Sequence, residues 1–176
     1  MWITGETNRV LILDMDGTIA DTYNYPDWAG ILRGHVKDPW TECGDVDPTE
    51  VYHMFTNVNP MITTGELKRF CDLWDEVVVY SMVPWDATVD VVQATVKAKL
   101  FWLHEHFPFL KNIVITRHKD EKNYILPKDV KYIHFETIPT TWQPGKDDTL
   151  VDDNEALLKC FIGNPLLPPW ADRLKL

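Results

Sequence analysis

Asp14 and Asp16 stand one residue apart at the end of an apolar run and are followed by Gly17, in the stretch LILDMDGTIADT, residues 11–22. Two carboxylates at that spacing on one emerging turn can divide phosphoryl-transfer chemistry between them. One can attack as a nucleophile and form an aspartyl-phosphate. The other is placed to protonate the leaving oxygen and then to activate the water that clears the intermediate. Gly17 permits a close backbone approach beside them. Further along, Ser81 lies in the apolar run EVVVYSM (76–82), Arg117 and Lys119 follow NIVIT (112–116), and Asp152 and Asp153 follow TLV (149–151). Four crowded carboxylates repel one another unless a cation sits among them, and hard oxygen ligands favour Mg²⁺. Ser81, Arg117 and Lys119 would supply the donors that hold phosphoryl oxygens as charge builds on them.

The elements that must position these residues are legible as runs and caps. Arg9 to Leu13, 76–82, 112–116 and 149–151 read as buried strands, and VKYIHF (130–135) as a further one. Asp47-Pro48-Thr49-Glu50 starts a helix through Val51, Met54 and Phe55. Thr63 with Glu66 starts another, carrying Leu67, Phe70 and Trp74. Asp86 caps a long one whose stripe is Val89, Val92, Val96, Leu100, Leu103 and Phe107, ended by Pro108. Strands alternating with helices imply an α/β fold with a doubly wound parallel sheet. In such sheets ligands collect beyond the carboxyl ends of the strands, so the acids, the hydroxyl and the cations are expected on one edge. Asp147 and Asp148 precede the 149–151 strand and so fall at its other end.

Composition bounds the partners. The chain has 176 residues, 45% apolar and 25% charged, with 17 Lys plus Arg against 27 Asp plus Glu and a formal net charge of -10. That is a globular composition with a surface that disfavours a long nucleic-acid partner. No apolar stretch reaches the roughly 18 residues of a membrane helix, so no membrane partner is expected. Cys43, Cys71 and Cys160 are odd in number and widely spaced. They argue against a disulfide frame or a zinc site and for a reducing, cytoplasmic location.

Asp14-Met15-Asp16-Gly17-Thr18, then Ser81, then a basic residue, then Leu150-Val151-Asp152-Asp153-Asn154, resembles the haloacid dehalogenase superfamily of phosphotransferases, with all four motifs in order across residues 9–155. The resemblance implies a Rossmann-type core, 1–20 and 60–176, with a small helical cap inserted at 21–59. It makes Asp14 the nucleophile and a magnesium ligand, and Asp16 the general acid/base whose backbone carbonyl also touches the metal. Ser81 and Lys119 would hold the phosphoryl group, and Asp153 would be the further metal ligand. Asp152 would orient Lys119 or the metal's waters, with Gly17 and Thr18 supporting the site.

A narrower similarity, to 5'(3')-deoxyribonucleotidases, rests on LFWLHEHFPFL followed by KNIVITRHK, where Thr116-Arg117-His118-Lys119 keeps three of the four residue types Thr-Arg-Asp-Lys. It implies a nucleoside monophosphate as substrate. Trp28 and Trp40, in the expected cap, are the candidates to stack on its base. The chain departs from that family in having Tyr80-Ser81-Met82 where Thr-Ser-Pro is usual, and in placing 32 residues between Lys119 and Asp152. Another small phosphoester, a nucleic-acid 3'-phosphate, or a non-enzymatic phosphoryl receiver or binding domain are the alternative readings.

Overall fold

The protein's computed structural model describes residues 8–32, 46–84, 87–117 and 130–171. Lys119, His118, Trp40, Cys43 and Asp86 lie outside the described residues. At its centre is β1 (Val10–Leu13), four consecutive apolar residues, all buried. A strand covered on both faces has no solvent side, which is why its sequence is a continuous apolar run rather than an alternation. β2 (Glu76–Met82) and β3 (Ile113–Thr116) extend the sheet in parallel on one side, and β5 (Thr149–Val151) and β6 (Asn164–Leu166) in parallel on the other. The six strands run in the order β4-β3-β2-β1-β5-β6.

The one departure from parallel pairing is β4 (Val130–His134), which runs antiparallel to β3 with Val114 opposite Ile133. β4 is the edge, half-buried with Ile133 exposed. An antiparallel return brings the chain back along the neighbouring strand. A parallel one has to carry it across the sheet face, a crossover that usually takes a helix.

Helices cover both faces, and the strand residues divide between them with period two. Leu11, Leu13, Val79 and Ile115 face one apolar layer with Leu67, Cys71, Trp102 and Phe107, from or next to α3 (Thr64–Cys71) and α4 (Val89–His106). Val10, Ile12, Val78 and Tyr80 face the other, with Trp142 and with Leu157 and Leu158 of α5 (Glu155–Cys160). Thr63 caps α3 by accepting from the Glu66 amide at 3.2 Å. Asp47 caps α2 (Pro48–Asn57) by accepting from the Thr49 amide at 2.9 Å, with Pro48 at the first helical position, where a missing N–H removes no bond. The cap of α4 is Thr88, which accepts from the Val91 amide, not the expected Asp86: the helix begins at Val89, so the residue immediately before it takes the cap.

Between β1 and α3 the chain leaves the sheet and returns. The Asp21 amide donates to the Asn59 carbonyl and the Met61 amide to the Ile19 carbonyl, both at 2.8 Å, closing the neck of the segment between them. Among its described residues that segment carries a 3-10 turn (Thr22–Asn24), a short α1 (Trp28–Ile31) and α2. Val51, Met54 and Phe55 of α2 pack with Leu32, Ala87, and Val91 and Ala98 of α4 in a third apolar cluster. So α4 is buried along two stripes, one toward the sheet and one toward α2. Val89, expected on its apolar face, is exposed. Among the described residues, no helix is long and apolar enough to cross a membrane.

Candidate functional site

The sheet reverses its winding at β1: the chain proceeds from β1 outward to β2 and β3, then crosses to β5 on β1's other flank. A crevice opens at such a reversal beyond the carboxyl ends of the strands. Asp14 and Asp16 come off β1 there, and Asp152 and Asp153 come off β5. A cavity of about 110 Å³ lies against all four. Asp147 and Asp148 are at the other end of β5. Asp148 is buried there and accepts from the Val10 and Gly145 amides, both at 2.8 Å, and its pKa is raised, by burial first.

The loop after β1 is wound tightly. The amides of Thr18, Ile19 and Ala20 all point to the Met15 carbonyl, at 3.1, 2.9 and 3.0 Å. Gly17 has φ of 77°, and a Cβ there would strike the Asp153 carboxylate and come within 2.7 Å of the Tyr23 ring. Glycine at this position is therefore required both by the left-handed backbone and by the space Asp153 occupies. Thr18 is buried, and its hydroxyl donates to Asp14 Oδ2 at 3.1 Å. The indole of Trp170 donates to the Thr18 carbonyl at 2.6 Å, so the last described turn of the chain clamps the loop that carries both acids.

Asp14, Asp152 and Asp153 each offer a carboxylate oxygen, and these lie within 4.8 Å of one another. Asp14 and Asp152 are buried and Asp153 is exposed. Asp152 is held by accepting from the Asn154 amide at 2.8 Å, and the Asn154 side chain caps α5 by accepting from the Ala156 and Leu157 amides. Asp153 is pushed up to about 6, first by desolvation; a bond with Asp14 opposes the rise and the Asp152 charge adds to it. Tyr23, over the same crevice, has its hydroxyl pKa raised, by burial first and then by Asp16, Asp14, Asp153 and Asp152. Burial is the first cause of both shifts, and the neighbouring carboxylates add to each. The three carboxylates form an all-oxygen donor set that could hold a metal ion.

Asp16 is set apart from that cluster. Its Oδ1 accepts from the Thr22 hydroxyl and its Oδ2 from the Lys99 ammonium, both at 2.6 Å. The Lys99 side chain is 0% exposed and that of Asp16 19%. Lys99 also donates to Ser81 Oγ at 2.8 Å and to the Met82 carbonyl at 2.6 Å, and it sits 4.7 Å from the centre of the Phe55 ring.

The expected residues thus separate. Asp14, Asp16, Asp152 and Asp153 converge on the cavity, with Gly17 and Thr18 shaping the loop that carries the first two. Ser81 is buried beside it and bound to Lys99, with Met82, Val83 and Pro84 rather than Ser81 forming that wall. Arg117 donates to the Ala87 carbonyl at 3.4 Å and does not line the cavity. Nor does Trp28; it meets Tyr23 edge-on, ring centres 4.9 Å apart, and Tyr23 is the aromatic ring that faces the cavity, together with Phe55. Lys119 and Trp40 are outside the described residues.

Sequence reasoning missed Lys99, Thr22, Tyr23 and Phe55 as site residues. Lys99 carried a usable signal: Val91, Thr95, Ala98, Lys99 and Trp102 form a second stripe on α4, spaced 4, 3, 1 and 3, and all are buried. A lysine inside an apolar stripe needs a buried partner.

The molecule is, in class, an α/β protein with a six-stranded, mostly parallel sheet flanked by helices and a carboxylate cluster at its winding reversal. No protein-family model matches the chain, and no curated protein matches it.

Proposed function

We propose that the protein is a magnesium-dependent phosphomonoesterase of the haloacid dehalogenase type, working through an aspartyl-phosphate on a small substrate, in the first instance a (deoxy)nucleoside monophosphate. The observation that carries this reading is the convergence of Asp14, Asp152 and Asp153 within 4.8 Å of one another at the ends of β1 and β5, with Asp16 beside them on the same loop. Asp14, Asp152 and Asp153, with the backbone carbonyl of Asp16, would hold magnesium. Bound there, the ion supplies the positive charge that lets a phosphate dianion enter an acidic crevice and that offsets charge building on its oxygens.

The chain's own groups do the rest. Asp14 is buried and oriented by Thr18, so one of its oxygens can be directed at phosphorus. As the Asp14 oxygen–phosphorus bond forms and the ester bond breaks, the leaving oxygen takes a proton from the Asp16 carboxyl. Asp16, now a carboxylate, then takes a proton from water as that water attacks phosphorus. The bond to Asp14 breaks, and inorganic phosphate leaves with both groups restored. A cavity of about 110 Å³ suits a phosphoryl group, and the rest of the substrate would lie toward Tyr23, Leu32, Phe55 and Pro84, an apolar and aromatic mouth. The segment 21–59, which supplies three of these residues, would act as the cap.

The test is phosphate release from nucleoside 5'- and 3'-monophosphates, sugar phosphates and a 3'-phosphorylated oligonucleotide, with magnesium or with chelator, for the native chain and Asp14→Asn. Turnover that needs magnesium and is lost in Asp14→Asn is expected. No magnesium-dependent turnover of any substrate would refute the enzyme reading, and full activity in Asp14→Asn would refute the nucleophile. Turnover of sugar phosphates alone would keep the chemistry and remove the nucleotide.

A further inference from the structure

We propose that Lys99 is a positioning residue, which from behind the cavity fixes Asp16 and Ser81 relative to each other and does not itself grip the phosphoryl group; the proposal rests on the phosphatase reading above. An ammonium has three N–H donors. Those of Lys99 are spent on Asp16 Oδ2, Ser81 Oγ and the Met82 carbonyl, at 2.6, 2.8 and 2.6 Å. None remains for a substrate oxygen. Its position says the same, since it is fully buried and absent from the cavity wall.

What Lys99 holds is the proton-carrying end of the site. Asp16 has both oxygens engaged, Oδ2 by Lys99 and Oδ1 by Thr22. A hydroxyl can donate or accept, whereas an ammonium only donates. Oδ2 is therefore held as an acceptor, whereas Oδ1, paired with a hydroxyl, is not restricted to that role. Ser81 accepts from Lys99 and keeps its own O–H to donate. The stem of Lys99 descends from α4, and its ammonium lies over Phe55 of α2, so the same group ties the acid/base loop, the end of β2 and the inserted segment together.

The role has a kinetic signature. In the first half-reaction the ester oxygen takes the Asp16 proton as its bond to phosphorus breaks. A nucleoside leaves as an alcohol and needs that proton, whereas p-nitrophenolate leaves without one. The ratio kcat/KM reports only steps through departure of the leaving group. For Lys99→Met we expect kcat/KM on a nucleoside 5'-monophosphate to fall about tenfold to a hundredfold further than on p-nitrophenyl phosphate, up to the lower range of what general acid catalysis supplies. Thr22→Val, which frees only Oδ1, should show the same selectivity more weakly. A thermal melt accompanies each variant; if Lys99→Met does not fold, Thr22→Val decides. Equal losses on the two esters would mean a merely structural role and overturn the proposal while leaving the phosphatase reading standing. A native chain that hydrolyses neither ester would overturn both.

Discussion

Asp153 should make the metal-free protein more stable as the pH is lowered from 7 toward 5, against the usual trend for a paired aspartate. Its carboxyl is pushed up to about 6 from the ordinary 3.8, chiefly by desolvation, with the Asp152 charge adding to it. Between about pH 4 and pH 6 the folded chain therefore holds more protons than the unfolded one, and stability falls as pH rises through that window. At 1.36 kcal/mol per unit, the whole shift would amount to about 3 kcal/mol. Asp153 is exposed, so solvent screening reduces the expected effect to roughly 1 kcal/mol, or about 2–4 °C in Tm for a chain of this size. The assay is thermal unfolding in chelator at pH 7, 6 and 5 for the native chain and Asp153→Asn. The variant removes this group's titration and leaves Asp148, which also titrates high, untouched. The native-minus-variant difference should run against the native chain at pH 7 and shrink toward pH 5. With magnesium added the order should reverse, because the ion needs Asp153 ionised. A difference that does not change with pH in chelator would refute the desolvation of Asp153 beside Asp152.

Two other perturbations reach the same loop. Gly17→Ala puts a Cβ against the Asp153 carboxylate and the Tyr23 ring at φ of 77°, so it should cost about 1–2 kcal/mol for the backbone alone and lose most of the Tm rise given by magnesium. An unchanged magnesium response in isothermal titration or melting would contradict that. Trp170→Phe keeps the ring but leaves the buried Thr18 carbonyl without its 2.6 Å donor, an expected loss of about 1–3 kcal/mol, with activity falling because Thr18 orients Asp14. A melting temperature equal to the native one would show that the clamp contributes nothing.

The order of apolar runs determined a good deal without coordinates. β1, β2, β3 and β5 are each a run that needs burial on both faces, and only a sheet covered by helices on both sides provides it. Because the acids follow β1 and β5, their gathering on one edge follows from strand direction alone. The starts of α2 and α3 were legible for a local reason: a capping side chain bonds an amide two or three residues on, within reach of short-range sequence.

What only the tertiary structure decided are relations across sequence distance. The direction of β4 depends on where the chain returns, and β6 and α5 are too short to carry a period. Whether a lysine on α4 meets water or Asp16 is settled by α2, which lies over that face; Lys99 and Asp16 are 83 residues apart and meet only because of that covering. The aromatics facing the crevice are likewise Tyr23 and Phe55 rather than Trp28, which packs against the Tyr23 ring instead. The types of group available to the site are written locally, in DMDG and LVDD. Which of them share charge, which are locked by a buried ammonium, and which face the cavity are properties of packing.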